Sequence, residues 1–269
     1  MQSVQLSGKT ELLPVVGDPI EQVLSPGALT GLLAKRRKNV LVVPFHVSAA
    51  EFRKSMSALA SVRNVPGALV TIPHKQAALD LCADTTERAR FAGSVNVMRK
   101  SAAGWFGDNT DGCGYMDGVA CLGFSVEGKS ALLVGSGGAG SAIANEILLR
   151  GARHLALHDT DAGRRDRLAE RLSSAFPGRV SIGSADPTGY DLVANATPMG
   201  MRPTDPLPIL VERLKAEQFV ACAVTKPATP PLIQAARRCG CPTMTGAGMF
   251  QAQAETLIDF LLAPGFANA

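Results

Sequence analysis

The sequence predicts a two-domain α/β protein. Its length of 269 residues suits one large domain or two ordinary ones. Short apolar runs alternate with helix-periodic stretches, the pattern of βαβ units around a mostly parallel sheet. That alternation starts afresh near Lys129, where an apolar run leads directly into a glycine-rich turn.

In the first part, Leu12-Leu13-Pro14-Val15-Val16 reads as a strand and residues 29–38 as a helix. Asn39-Val40-Leu41-Val42-Val43 is the second strand. Residues 49–62 have helical spacing, with Phe52, Met56 and Leu59 on one face. Gly67-Ala68-Leu69-Val70-Thr71 is a third strand ending before Pro73. In the second part, residues 130–134 read as a buried strand, 142–150 as a helix stopped by Gly151, and 154–158 as the next strand. Residues 164–173 form a polar-faced helix, 191–195 and 218–224 later strands, and 250–262 a final helix suited to crossing back to the first domain. No internal repeat or low-complexity linker interrupts this order.

Composition narrows the function classes. A chain that is 46% hydrophobic and 19% charged has ample material for a core. The net charge of +4 is spread thinly, and its densest run, Lys35-Arg36-Arg37-Lys38, reads as a solvated helix end. With aromatics at 5% there is no stacking platform, so nucleic acid is not an expected partner. The six cysteines form no CxxC pair and stand near no histidine at zinc spacing, so no metal site is expected. The start Met1-Gln2-Ser3-Val4-Gln5 has no leader pattern, and no apolar stretch reaches spanning length. These features predict a cytoplasmic protein with reduced thiols and no membrane partner.

The strongest single motif is Gly135-Ser136-Gly137-Gly138-Ala139-Gly140, which fits G-x-G-x-x-G between a strand and a helix. Gly135 allows the tight turn, Gly137 lets the backbone approach a pyrophosphate, and Gly140 lets helix and strand pack closely. Gly138 and Ala139 complete the turn, and the helix that follows offers N-terminal N–H groups and a positive dipole end that suit an anion. The motif predicts a Rossmann-like dinucleotide-binding domain. Asp159 follows the next strand, where an acid accepts the ribose hydroxyls of NAD and repels a 2′-phosphate. Arg164 and Arg165 stand five or six residues past that strand and keep NADP open, but NAD is the expected cofactor.

Several further motifs recur in one order. Gly17-Asp18-Pro19-Ile20 with Leu24-Ser25-Pro26, Thr71-Ile72-Pro73-His74-Lys75, Gly93-Ser94-Val95-Asn96 and Asn109-Thr110-Asp111-Gly112 precede the glycine turn. Asn195-Ala196-Thr197-Pro198-Met199-Gly200-Met201, Thr229-Pro230 and Gly248-Met249-Phe250-Gln251-Ala252-Gln253-Ala254 follow it. Over nearly the whole chain this series resembles the shikimate and quinate dehydrogenases. The resemblance implies an N-terminal α/β substrate and catalytic domain over residues 1–112, with a C-terminal helix 246–269 returning to it. It implies a dinucleotide domain over 113–245, with the active-site cleft between the two. Lys75 matches the family's catalytic lysine and Asp111 its paired aspartate. Oxidation of an alcohol needs a group to take the hydroxyl proton as hydride leaves. A lysine serves when burial lowers its pKa, and a neighbouring carboxylate orients the amine. Ser25 matches a carboxylate-binding serine, and Thr71, Asn96 and Gln253 match residues that bond ring hydroxyls. Asn195, Thr197, Met199 and Gly248 fall at cofactor-lining positions. Beside these roles stand plainer ones: Ser25 before Pro26 also suits a helix cap, Asp111 an Asx turn, and His74 a partly exposed loop.

The departures from the family pattern concern recognition. Val23 stands in place of a second carboxylate-binding serine, Leu69 in place of an asparagine, Val224 of a tyrosine and Ala221 of an aspartate. A pocket that loses hydrogen-bonding partners loses discrimination, so the resemblance implies a diverged oxidoreductase acting on a cyclic hydroxy acid related to shikimate or quinate, as a monomer or homodimer. Two alternatives are a non-catalytic dinucleotide- and metabolite-binding sensor and a methylene-tetrahydrofolate dehydrogenase-like enzyme. Retention of both Lys75 and Asp111 speaks against the first. The Asn109-to-Asp111 and Asn195-to-Met201 motifs speak against the second.

Overall fold

The computed structural model describes residues 6–263, which fall into two compact units. One runs up to residue 110 and takes in the chain again from 254; the other comprises 111–253. The segment 1–5 and residues 264–269 of the expected C-terminal helix lie outside the described residues.

The first unit contains, in chain order, β1 (Glu11–Gly17), α1 (Ser25–Lys35), β2 (Val40–His46), α2 (Phe52–Ser61) and β3 (Gly67–Val70). It continues with α3 (Lys75–Leu79), β4 (Cys82–Thr85), α4 (Glu87–Ala92), β5 (Val97–Ser101) and β6 (Gly104–Asp108). Its sheet has the order β2-β1-β3-β5-β6-β4. The pairs β1–β2, β1–β3 and β4–β6 are parallel, whereas β5 is antiparallel to both neighbours. The expected parallel sheet is therefore mixed here, because β5 and β6 form a hairpin closed between Ser101 and Gly104. The predicted apolar face of α2 is real: Phe52, Met56 and Leu59 pack against Val16, Val70, Ala78, Met98 and Trp105. Burying a side chain of that size stabilises by about 1.5–3 kcal/mol.

The second unit contains α5 (Asp111–Cys121), β7 (Ser130–Val134), α6 (Gly138–Leu149), β8 (His154–His158), α7 (Ala162–Ala175), β9 (Val180–Ile182) and β10 (Leu192–Asn195). After a short 3-10 turn at Val211–Arg213 come β11 (Phe219–Cys222), α8 (Pro231–Cys239) and β12 (Thr243–Met244). The last helix, α9 (Gly246–Leu262), begins in this unit and from Ala254 belongs to the first. The sheet order is β12-β11-β10-β7-β8-β9 and every pair is parallel. Its central strands β7, β10 and β11 are buried on both faces, which explains their unbroken apolar runs.

Helix ends follow local chemistry. Thr86 caps α4 by accepting the Ala89 N–H, and left-handed Gly93 (φ 65°) stops it. Asp161 caps α7 by accepting the Arg164 N–H at 2.9 Å. In the basic run, Arg36 is not left to solvent, since it bonds Asp259 at 2.7 Å and also pairs with Glu255. No helix among the described residues is long and apolar enough to cross a membrane.

Candidate functional site

In the first sheet β1 is flanked by β2 on one side and β3 on the other, so the strand order reverses beside it. The crevice beyond the carboxyl ends of strands at such a reversal is the general ligand position of α/β sheets. Here the parallel strands β1 and β3 end at Gly17 and Val70. Gly17 lies so close to Thr71 that a Cβ would stand 2.3 Å from its side-chain methyl. The Asp18 N–H donates to the Ile72 carbonyl at 2.9 Å, tying the loop after β1 to the turn after β3.

Ser25, 7% exposed, is the first residue of α1 rather than its cap; Leu24 holds the cap position and makes no side-chain bond there. Lys75 opens α3 and is half-buried. His74 before it is buried, not the partly exposed loop residue expected. Its Nε2 donates to the Val47 carbonyl at 2.7 Å and its ring stacks on Phe52 at 4.4 Å. A histidine in that place is an apolar packing element with one satisfied polar edge.

Because β5 is antiparallel, its start and the end of β6 meet at this same edge of the sheet. Asn96, just before β5, donates its N–H to the Asp108 carbonyl and accepts the Val70 N–H. The Asn96 side chain is buried and bonds Thr110, donating to Oγ1 at 3.1 Å and accepting the Thr110 N–H at 3.0 Å. The Val95 N–H donates to the Lys75 carbonyl at 2.8 Å. Asn109 clamps Ser94, donating to its carbonyl at 3.2 Å and its hydroxyl at 2.8 Å.

The second sheet has its own reversal at β7, with β8 on one side and β10 on the other. Gly135 follows β7 with φ 103°, where a Cβ would stand 2.8–2.9 Å from Thr197 and Ala196. A Cβ on Gly140 would stand 2.0 Å from the Gly135 carbonyl oxygen, so both glycines are required by the protein itself. Gly137 differs, since nothing lies within 4 Å of where its Cβ would be. It precedes α6, which begins at Gly138 and Ala139 with no side-chain cap. Open space beside an uncapped helix N-terminus suits a dinucleotide pyrophosphate.

Asp159 accepts the Ser136 N–H at 2.6 Å and the Asp161 N–H at 2.9 Å, so its carboxylate is anchored against the glycine turn and does not cap α7. Arg164 pairs with Asp161 at 3.4 Å and Arg165 with Asp166 at 2.8 Å. Asn195 ends β10 and accepts both the N–H (3.0 Å) and the hydroxyl (2.7 Å) of Thr197, whose hydroxyl accepts the Met199 N–H at 3.2 Å. These three residues thus form one turn beside Gly135. Gly248 lies in the first turn of α9, its N–H 3.5 Å from the Thr245 hydroxyl.

Asp111 opens α5 and is buried, and Gln253 donates to its carboxylate at 3.1 Å. Two residues assigned separately in the sequence, one to catalysis and one to substrate, are therefore in contact. Gly114 makes this possible, because a Cβ there would stand 2.5 Å from that of Gln253. Of the four departures, Val23 is half-buried beside the start of α1. Leu69, Ala221 and Val224 are buried, and Val224 packs with Val220, Cys222 and Leu232 in the core of the second unit. Sequence reading passed over Arg88 and Asp108, whose only visible signal was the position of Asp108 directly before the Asn109-Thr110-Asp111 motif.

Two α/β units, one a fully parallel doubly wound sheet with a glycine turn at its reversal, define the class: a nicotinamide-dependent oxidoreductase. A family model described as the shikimate dehydrogenase substrate binding domain matches residues 15–98. The shikimate dehydrogenase (NADP(+)) of Rubrobacter xylanophilus is 34% identical over 91% of this chain and 88% of its own length. The quinate dehydrogenase of Corynebacterium glutamicum, solved with NAD, aligns over 95% of both chains with a TM-score of 0.82 and 26% identity. A shikimate dehydrogenase solved with NADP+ superimposes on 98% of this chain and 94% of its own, with a TM-score of 0.90 and 22% identity, a likeness of fold. The chain belongs to the shikimate dehydrogenase family.

Proposed function

We propose that this protein transfers hydride between NAD(P) and a ring hydroxyl or ketone of a cyclic hydroxy acid of the shikimate or quinate kind, in the cytoplasm. In this reading the first unit is the substrate domain and the second holds the dinucleotide. When bound, the nicotinamide accepts or supplies the hydride. The Lys75 amine takes the hydroxyl proton during oxidation and returns it during reduction, and Asp111 is the second catalytic residue. Asn96, Thr71 and Gln253 hold ring hydroxyls, and Ser25 holds the carboxylate.

The observation that carries this reading is the Val95 N–H bond to the Lys75 carbonyl at 2.8 Å. It ties the backbone of the proposed proton-transfer residue to a segment whose next residue is Asn96, at the edge where β1 and β3 end. A general acid–base group needs such fixed placement before its pKa matters.

NAD is proposed over NADP because Asp159 presents an anchored carboxylate at the end of β8 while Arg164 and Arg165 are engaged by Asp161 and Asp166. Against the expectation of NAD, the curated relatives, that from Rubrobacter among them, are named for NADP(+), which weighs towards NADP, so the two cofactors must be tried side by side. The deciding experiment follows reduced-nicotinamide absorbance over a panel of cyclic hydroxy acids with each cofactor. Turnover of shikimate, quinate or a near relative is expected. A chain that binds dinucleotide and turns over none of the panel is a sensor instead.

A further inference from the structure

Asp108 ends β6 with its side chain fully buried, and nothing in the reaction described above uses it. Its Oδ1 accepts Arg88 Nε at 2.7 Å, the Asn109 N–H at 2.7 Å and the Thr86 hydroxyl, while Oδ2 accepts Arg88 Nη2. A carboxylate at such depth is tolerable only when paired and fully hydrogen-bonded, and the two-pronged guanidinium is the strongest partner available to it. Arg88 reaches it from α4, with its side chain 42% exposed.

The pair secures a specific stretch of chain. The Asp108 carbonyl accepts the Asn96 N–H, Asn109 grips Ser94, and Thr110 grips the Asn96 amide. The tripeptide Ser94-Val95-Asn96 in turn holds the Lys75 carbonyl and accepts the Val70 N–H. One ion pair with a buried carboxylate thus anchors the strand end from which both Lys75 and Asn96 are held.

We propose that the Arg88–Asp108 pair is a positioning element for the reaction, fixing Lys75 and Asn96 through residues 94–96 and 109–110. It touches no reacting atom. The proposal rests on the reading of Lys75 and Asn96 given above. A pair that served only general stability would, when removed, reduce the folded fraction but leave the kinetics of the folded molecules unchanged.

The test uses the full chain. The double variant Arg88→Met/Asp108→Asn removes both charges together and strands neither. Arg88→Lys keeps the charge but loses the planar fork. Three quantities are measured on folded protein: kcat and KM over the hydroxy-acid panel, NAD affinity by equilibrium titration, and amide hydrogen exchange at residues 94–96 and 109–110. For the double variant, faster exchange at those amides is expected, with kcat/KM lowered about tenfold to a hundredfold and NAD affinity unchanged. Arg88→Lys should fall between it and the unmodified protein. If the double variant does not fold, Arg88→Lys carries the same readouts.

Unchanged exchange at those amides with unchanged kcat and KM overturns the proposal, as does faster exchange with unchanged kinetics. If the unmodified protein turns over nothing in the panel, the reading of Lys75 and Asn96 has failed. Exchange then decides separately whether the pair anchors residues 94–96: faster exchange supports the anchor, and unchanged exchange overturns it.

Discussion

The two points where strand order reverses are built from different materials. In the first unit the edge beyond β1 and β3 is made of residues that bear side chains: Thr71, Lys75 and Asn96, with Asn109 and Thr110 bonded to their neighbours. In the second, the edge beyond β7 and β10 is mostly main chain, with Gly135, Gly137 and Gly140 beside the turn at Asn195 to Met199. The difference follows from the chemistry each edge is suited to. A pyrophosphate is held by backbone N–H groups and needs room for close approach. A ring with hydroxyls, and a proton to be moved, needs side chains at fixed positions. Removing a side chain should therefore act on turnover in the first unit, and adding one should act on binding in the second.

The largest expected effect tests the first half of that contrast. Lys75→Ala should lower kcat by about 10²–10⁴-fold, the usual contribution of a general acid–base group. NAD affinity measured by titration should be nearly unchanged. A variant keeping more than about half of kcat removes Lys75 from the proton-transfer role.

The second half is tested by adding a single methyl group at two glycines. Gly137→Ala meets no protein atom, so its melting temperature should match that of the unmodified protein. Its dinucleotide affinity should fall about tenfold or more, if the intruding Cβ costs about 1–3 kcal/mol in the complex. In Gly140→Ala the new Cβ collides with the Gly135 carbonyl oxygen, so the loss should appear first as a lowered melting temperature. Unimpaired NAD binding by Gly137→Ala would mean that the pyrophosphate does not approach there.

The same contrast explains what was legible in the sequence. Strands β7, β8 and β10 are apolar runs buried on both faces, and periodicity is enough to find them. β4 (Cys-Ala-Asp-Thr) and most of β5 (Val-Met-Arg-Lys-Ser) carry polar residues, and the β5–β6 hairpin makes the first sheet mixed. α5 was hidden by Gly112, Gly114 and Gly118, each poor for an isolated helix. Close packing demands them, because a Cβ would stand 2.3 Å from the Ala142 carbonyl, 2.5 Å from Gln253 and 2.5 Å from the Met244 sulfur. Lys75, Asn96 and Asp111 were reached through ordered motifs rather than periodicity. Arg88 and Asp108 were not reached at all, because a charged pair 20 residues apart reads as ordinary surface until the fold buries one partner.

The edge proposed for the cofactor also contains a side chain, Asp159, which sharpens the comparison. Asp159→Asn removes the negative charge while leaving an oxygen to accept the Ser136 N–H. The preference for NAD over NADP should shrink by about tenfold, the scale of losing one hydrogen bond to a charged group. Parallel titrations with both oxidised cofactors measure it. Tighter binding of NADP by the unmodified protein would show that Arg164 or Arg165 reaches the ribose despite its acidic partner.

An effect of similar size, confined chiefly to KM, is expected at position 23, where the family resemblance implies a serine and this chain has Val23. Val23 is half-buried and close in sequence to Ser25, which is buried at the start of α1. An aliphatic side chain there offers a carboxylate no donor. A hydrogen bond to a charged group is worth about 1.5–3 kcal/mol, and every ~1.4 kcal/mol is tenfold. Val23→Ser should therefore lower KM for shikimate by about tenfold, with a smaller change in kcat, since the carboxylate is remote from the proton and hydride. Positions 69 and 224 are poorer places for this test. Leu69 is 5% and Val224 4% exposed, so an asparagine or tyrosine there would disturb a packed core before it met a ligand. Steady-state kinetics on folded protein, with shikimate varied at saturating cofactor, provide the measurement. If Val23→Ser leaves KM unchanged or raises it, the carboxylate does not dock beside Ser25. The substrate is then oriented differently or lacks that group, while the Lys75→Ala result still stands or falls by itself.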